Sequence, residues 1–171
     1  MSYLYTSRFE AYPFLSDDSN DLRCDFELFT DYISSKIGLL RSIVKDKKVK
    51  DELLIICELV YHVNPTLRTK KFTVTNEELK WFEDRTLELK AQFGARCKRF
   101  VLTPGSQAAC ESHLLRVLGK ELVRLLYHYN QQGHDVSPEL YDFANLLSGY
   151  FFYLALKLNQ DEGIQEIEYV S

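Results

Sequence analysis

The chain has 171 residues, of which 46% are apolar and 27% are charged, and its formal net charge is −4. This composition excludes a disordered chain, and no apolar run approaches the roughly 20 residues that cross a bilayer. Acids and bases alternate along the sequence, which excludes the dense basic surface of a nucleic-acid-binding protein. The N-terminus has no signal-peptide pattern, so a one-domain cytoplasmic protein is expected, with no membrane or nucleic-acid partner.

The four cysteines are widely spaced and include no CxxC pair. A zinc site or a redox motif needs such a pair in most known cases. We therefore predict four reduced and mostly buried thiols and no metal site.

Two helices are predicted in the first third of the chain. The first spans about 21–44, and its apolar residues recur at steps of three and four: Phe26, Phe29, Ile33, Ile37, Leu40 and Val44. The second spans about 49–63 with the same periodicity. It should stop at Asn64, because Pro65 disfavours helical geometry in the residue before it.

Three more helices are predicted from their end signals. The third begins at Thr75, which forms a capping box with Glu78, and it ends at Gly94. The fourth runs between an N-cap at Ser106 and a stop at Gly133. The fifth opens at Ser137 with an N-cap, a proline and an early acid.

Strand signals are weak: only KFTVT and RFVLT qualify, and either can be an extended loop. The chain is therefore predicted to be all-α, as a five-helix up-and-down bundle. The bundle domain should occupy 21–160, after an N-terminal segment at 1–20 and before a C-terminal tail at 161–171.

The predicted fourth helix carries a basic stripe formed by His113, Arg116, Lys120 and Arg124. Residues three or four apart share a helix face. With the amides at the start of the helix, the stripe could bind an anion. The alternative is an ordinary solvated face, and spacing alone leaves both interpretations open.

Asp31 on the first helix lies beside the small residues Ser34, Ser35 and Gly38, away from the apolar stripe. Such a strip suits close helix packing or a pocket wall. A bidentate pair with Arg116 would satisfy both charges. A plain surface aspartate is the alternative.

Three separated segments carry a pattern that goes beyond helical periodicity. They are FVLTPGSQAA followed by His113 and Arg116; DLR followed by TDYISSKIGL; and NLLSGYFF, which begins at Asn145. In order and spacing they resemble the PduO-type ATP:cob(I)alamin adenosyltransferases. In that family the corresponding stretches are FVLPGGS-like, DLR with LDELNSxLG, and NRLSDYLF.

The resemblance implies a five-helix bundle that assembles as a homotrimer with its sites between subunits. Such proteins transfer the 5′-deoxyadenosyl group of ATP to the cobalt of reduced cobalamin and release triphosphate. By this resemblance, Phe100 would be the aromatic wedge below the corrin ring that removes the lower cobalt ligand. Asp31 and Arg116 would form the salt bridge that holds the site and the subunit interface together. The cofactor-binding residues implied are Phe100, His113, Arg116, Asn145 and Lys120.

The departures from the family pattern fall on the ATP side. Where the family has YTxTGDxGTT, this chain has YTSRFEAYP, and no glycine occurs before Gly38. The stretch SDDSN stands in place of a lysine before DLR. The paired arginines and glutamate expected after Arg116 are replaced by Lys120, Glu121 and Val123, and Leu146 stands where the family has an arginine. The N-terminal segment is therefore interpreted as a degenerate nucleotide loop.

Three hypotheses follow. The first is a divergent relative that binds a corrinoid such as cobalamin, with weak or absent adenosyl transfer and little affinity for ATP and its Mg²⁺. The second is an active adenosyltransferase with a rebuilt ATP site. The third is a trimeric scaffold or interaction protein without a small ligand.

Overall fold

Five long helices and one short helix make up the part of the chain that the computed structural model describes, residues 4–171. Their bounds are α1 Leu22–Ile43, α2 Lys47–Val63, α3 Thr66–Thr69, α4 Asn76–Phe93, α5 Gln107–Gln131 and α6 Pro138–Asp161, with a 3-10 turn at Gly94–Arg96. The predicted all-α bundle of five helices is confirmed. The short α3, between the second and third predicted helices, was not predicted.

The helices begin at the residues whose side chains can satisfy free backbone amides. The side chains of Asp21, Ser106 and Ser137 each accept a hydrogen bond from an amide in the first turn of α1, α5 and α6. Thr75 and Glu78 form both halves of the predicted capping box of α4. Local signals of this kind place the predicted helix ends within about two residues of the observed ones.

The core of the bundle lies around α6, which packs most extensively on α5 and also on α4, while α1 packs on α2 and α5. Bulky side chains of α1, α4 and α6 are fully buried there, among them Phe26, Phe82, Phe143, Tyr150 and Phe151. Inside this core Tyr150 donates a hydrogen bond of 3.1 Å to Glu52, which also pairs with Arg85 at 2.8 Å. The buried carboxylate of Glu52 therefore has both a cation and a hydrogen-bond donor as partners, which offsets the cost of burying its charge.

Helices α5 and α6 approach each other closely at Gly119. A Cβ atom on Gly119 would lie 2.8 Å from the backbone nitrogen of Ser148, so the helix backbones would have to separate. We expect Gly119→Ala to lower the free energy of unfolding by about 1–3 kcal/mol through overpacking. Gly94→Ala is the control, because its Cβ would meet its neighbours at ordinary distances of 3.6 and 3.7 Å. Urea unfolding of both variants tests this, and equal stabilities would contradict the close approach.

The two weak strand signals have different outcomes. KFTVT forms no strand, whereas RFVLT is extended and makes an isolated antiparallel bridge between Val101 and Glu168. Its partner is the C-terminal tail. The tail therefore lies against the loop that precedes α5.

The structure of residues 4–171 bears on the expectations about cysteines, metal sites and membrane-spanning helices. All four cysteines are free thiols, but only Cys24 is buried and the others are partly exposed. Over these residues no group of three or more His, Cys, Asp or Glu side chains is placed to hold a metal ion. None of the helices described is long and apolar enough to cross a membrane.

Candidate functional site

A pocket of about 550 Å³ lies between the loop 97–101 and the facing sides of α5 and α6. Four of the six predicted site residues line it, namely Phe100 from the loop and His113, Arg116 and Lys120 from α5. The α6 side supplies Phe152 and Tyr153, two aromatic side chains that were not predicted as site residues. The pocket therefore combines apolar and aromatic walls with two cations of α5.

Among the large apolar side chains of residues 4–171, Phe100 is the most exposed, at 86%. Its ring packs on little of its own chain, so its position depends on the backbone that carries it. The carbonyl of Phe100 accepts a hydrogen bond of 2.7 Å from the amide of Tyr169, and the amide of Leu102 donates one of 2.8 Å to Ile167. The position of the ring is thus set by the short extended segment around Val101, which is hydrogen-bonded to the C-terminal tail.

His113 forms part of the pocket wall and is 4% exposed. Its ring lies 6.3 Å from that of Phe152, and within the described residues its Nδ1 atom has no hydrogen-bond partner. Burial, and secondarily the positive charge of Arg116, lowers the pKa of His113 to about 4, while Glu166 opposes this shift. The imidazole is therefore neutral at pH 7.

Acid should destabilise the protein through His113. In the unfolded chain the imidazole binds a proton near pH 6.5, whereas the folded state resists protonation until about pH 4. The stabilisation is therefore complete above pH 6.5 and is lost as the pH falls from 6.5 towards 4. Urea unfolding at pH 7 and pH 4.5 measures how far the free energy of unfolding falls between these two pH values. We expect this fall to be about 1–3 kcal/mol smaller in His113→Gln than in the wild type. The same fall in the variant and in the wild type would show that His113 is not the group responsible.

Arg116 and Asp31 form no ion pair within the single chain over residues 4–171. Asp31 lies on the exposed face of α1, whereas Arg116 is partly buried and lines the pocket beside α6. Burial lowers the pKa of Arg116, and its Nε atom has no hydrogen-bond partner in the described part of the chain. The ion pair that does join α1 to α5 links Lys36 and Glu111 at 2.6 Å. A pair between subunits stays a prediction.

Asn145 is the predicted site residue that the pocket does not include. Its side chain is exposed, and its amide donates a hydrogen bond of 2.9 Å to the carbonyl of Tyr141, one turn earlier in α6. It is not among the residues that line the pocket with Phe100, His113 and Arg116. Its predicted role stays a prediction.

The N-terminal segment is fastened to the bundle by Arg68, a residue that the sequence analysis did not single out. Its guanidinium pairs with Glu27 at 2.6 Å and with Asp17 at 3.1 Å, and it lies 3.4 Å from the ring centroid of Phe14. Burial and a hydrogen bond to Glu27 raise the pKa of Tyr12 to about 12. The only sequence signal for this cluster was the pair of acids in SDDSN.

The fold is that of the PduO-type ATP:corrinoid adenosyltransferases. A variant of the Lactobacillus reuteri protein with phenylalanine replaced by histidine, complexed with cobalamin and ATP, matches at a TM-score of 0.80 and 20% identity; the match covers 94% of this chain and 96% of that chain. A variant of the same protein with arginine replaced by lysine, complexed with ATP, matches at 0.76 and 22% identity over 88% of each chain.

The family follows from the sequence itself. The profile described as cobalamin adenosyltransferase matches residues 19–158, so the chain belongs to the cobalamin adenosyltransferase family. The chain is also 26% identical over 160 residues to a corrinoid adenosyltransferase of Bacillus subtilis (strain 168), covering 89% of this chain and 82% of the relative. The predicted family is confirmed.

Proposed function

We propose that this member of the family binds a corrinoid, such as cobalamin, in the pocket beneath Phe100 and transfers adenosyl groups from ATP weakly or not at all. The observation that carries the proposal is the outward-facing Phe100 ring, 86% exposed at the mouth of an aromatic pocket. An exposed aromatic ring beside an apolar pocket is typical of a surface that a ligand covers. Relatives with this fold have been solved with cobalamin bound.

Phe100 is suited to contact the flat face of a corrin ring. A phenyl group cannot coordinate cobalt, so a ring held below the metal would exclude the lower ligand and leave that face unoccupied. Phe152 and Tyr153 offer further apolar surface on the α6 side. In this proposal Phe100 touches the substrate, while Arg116 and neutral His113 form the wall behind it.

The proposed weakness towards ATP rests on two cations near the N-terminal segment, Arg68 and Arg23, and on the absence of glycine there; Arg8, inside the segment, lies over the ring of Phe9 and forms no salt bridge within residues 4–171. Arg68 is already bound by Glu27 and Asp17, and Arg23 is bound by Asp21 through contacts of 2.5–3.0 Å. These guanidiniums are therefore not free to hold a triphosphate, and the segment has no glycine to bring its amides close to one. Each missing charged contact weakens binding by about 1.5–3 kcal/mol, or roughly one to two orders of magnitude.

A homotrimer would complete the site. Exposed apolar side chains on α1 and α5 could be buried between subunits: Leu28, Tyr32, Leu39, Leu114 and Val117. Asp31 lies on the same exposed side of α1, and Arg116 has an unpartnered buried Nε atom. A pair between these residues of different subunits would satisfy both.

The second candidate is an active adenosyltransferase with a rebuilt ATP site. Lys120 favours it, because this exposed residue is among those that line the pocket and it forms no salt bridge in residues 4–171. A lysine can attract phosphate as a point charge, although it lacks the fork of an arginine. The cytoplasmic location and the absence of nucleic-acid partners stay predictions from composition.

Titration with cob(II)alamin tests the corrinoid half of the proposal. We expect the wild-type protein to change the visible spectrum of cob(II)alamin in a saturable way, because displacement of the lower ligand alters the coordination of cobalt. The control is hydroxocobalamin under the same conditions, whose tightly held ligands should resist displacement. No spectral change at saturating protein would leave the scaffold hypothesis in place.

Thermal unfolding with nucleotide tests the ATP half. A ligand that binds the native state raises its stability in proportion to ln(1 + [L]/Kd). We expect millimolar ATP with Mg²⁺ to raise the melting temperature by less than about 1 °C. A rise of several degrees would favour the active enzyme, and cytidine triphosphate at equal concentration controls for ionic effects.

A further inference from the structure

We propose that the C-terminal stretch 159–169 is a clamp that holds Phe100 in position, with Glu166 as a positioning residue through its ion pair with Arg96. This inference deepens the proposed function, because it rests on Phe100 being the residue that meets the corrinoid. All contacts of the clamp are made within one chain. Four contacts along the loop 94–106 carry it.

The first contact lies at the start of the loop. Arg96, in the 3-10 turn before Phe100, pairs with Glu166 at 2.9 Å and donates a hydrogen bond of 2.8 Å to the carbonyl of Ile164. The side chain of Glu166 is only 4% exposed and that of Arg96 18%. A carboxylate buried to this degree is stable only with its partner in place, so the two segments are held together here.

The next two contacts flank Phe100 itself. The amide of Tyr169 donates to the carbonyl of Phe100, and the amide of Leu102 donates to the carbonyl of Ile167. These bonds, at 2.7 and 2.8 Å, surround the bridge between Val101 and Glu168. They fix the backbone on both sides of a residue whose own ring makes few contacts.

The fourth contact lies at the end of the loop, where α5 begins. Asn159, which is 1% exposed, accepts a hydrogen bond of 3.0 Å from the amide of Ser106 and donates one of 3.4 Å to Glu166. Glu166 is therefore linked to both ends of the loop. Its removal should loosen the whole segment that carries Phe100.

The placement of an aromatic group against a metal face depends on position to within about half an ångström. A ring that is 86% exposed cannot supply this precision from its own packing. The clamp would supply it before the ligand arrives, which reduces the ordering cost of binding. We therefore expect the clamp to affect ligand displacement at cobalt more than corrinoid affinity.

Hydrogen exchange in the free protein is the ligand-independent test. In Glu166→Ala the amides of Leu102 and Tyr169 should exchange at least about tenfold faster than in the wild type, because local opening becomes easier. Glu162→Ala is the matched control, since Glu162 is an exposed acid in the same stretch whose one ion pair within residues 4–171 is with Lys45, at 3.4 Å. Unchanged exchange of both amides in Glu166→Ala would overturn the clamp.

A second pair of variants avoids disturbing the buried charges. Tyr169→Pro removes the amide hydrogen that bonds to Phe100, whereas Tyr169→Ala keeps it. Tyr169 is about half exposed and lies near the end of the chain, so neither change should unfold the bundle. We expect faster exchange at Leu102 in the proline variant alone, and equal exchange in both variants would contradict the clamp.

Titration with cob(II)alamin tests whether the clamp positions Phe100 or only stabilises the fold. In Tyr169→Pro the apparent Kd should change by less than about threefold, while the maximal spectral change at saturation should fall at least fivefold. A full spectral change would overturn the inference. If the wild type shows no spectral change but the exchange results hold, the clamp stands and the corrinoid proposal fails.

Discussion

Replacing Phe100 with alanine is expected to reduce the spectral change of bound cob(II)alamin at least tenfold. The phenyl ring is 86% exposed, so its loss should alter the free energy of unfolding by less than about 0.5 kcal/mol. The variant should therefore lose the displacement of the lower cobalt ligand while keeping the stability of the wild type. Absorbance at saturating protein measures the effect, with unfolding in urea alongside.

The matched control for Phe100→Ala is Phe9→Ala. Phe9 is 77% exposed, but it lies in the N-terminal segment beneath Arg8 and does not line the pocket. Phe9→Ala should keep the wild-type spectrum. A full spectral change in Phe100→Ala would show that the ring does not displace the lower ligand, even if a corrinoid still binds.

The second large effect is expected at the proposed subunit interface. Asp31→Arg should dissociate the proposed trimer, because it places two guanidiniums together where Arg116 would have a carboxylate. Breaking such a pair costs about 3–5 kcal/mol, or a hundredfold or more in association at each interface. Sedimentation equilibrium at micromolar concentration measures the change.

Two further variants make this result specific. Asp51→Arg carries the same change of charge on an exposed residue of α2 that forms no ion pair in the described chain, and it should leave assembly unchanged. Combining Asp31→Arg with Arg116→Asp should restore the trimer by exchanging the two charges. Trimers of Asp31→Arg as stable as those of the wild type would contradict a pair between subunits.

The helices could be predicted from the sequence because their determinants are local. The capping box of Thr75 and Glu78, the N-cap of Ser106 and the proline after Ser137 act within one turn, and each lies where it was predicted. Helical spacing placed His113, Arg116, Lys120 and Arg124 on one helix face but left open whether that face is a site; the first three line the pocket, whereas Arg124 is exposed outside it. Phe100 was added by the family resemblance.

The contacts that were not predicted join residues far apart in the chain. The sequence around Glu166 gives no sign that this acid is buried against Arg96, 70 positions earlier. Likewise RFVLT looks strand-like, but nothing local identifies the C-terminal tail as its partner. The attachment of Asp17 and Phe14 to Arg68 is of the same kind. Such pairs are fixed by the packing of the whole bundle.

The charged groups that line the pocket and those near the N-terminal segment differ in what they already contact. On the pocket side, Arg116 and Lys120 form no salt bridge within residues 4–171 and remain available to a ligand or a second subunit. Near the N-terminal segment, Arg23 and Arg68 are bound by carboxylates of the same chain, whereas Arg8 contacts only the ring of Phe9 among the described aromatic and ionic contacts. The pairing of Arg23 and Arg68, together with the absence of glycine before Gly38, is the physical basis for expecting ATP to bind weakly.

Equilibrium dialysis of one protein preparation against labelled ATP with Mg²⁺, and separately against cob(II)alamin, tests this expectation most directly. The account predicts saturable binding of cob(II)alamin at micromolar concentration and no saturation by ATP below about 1 mM, a difference of roughly 4 kcal/mol. Saturation by ATP at micromolar concentration would contradict it.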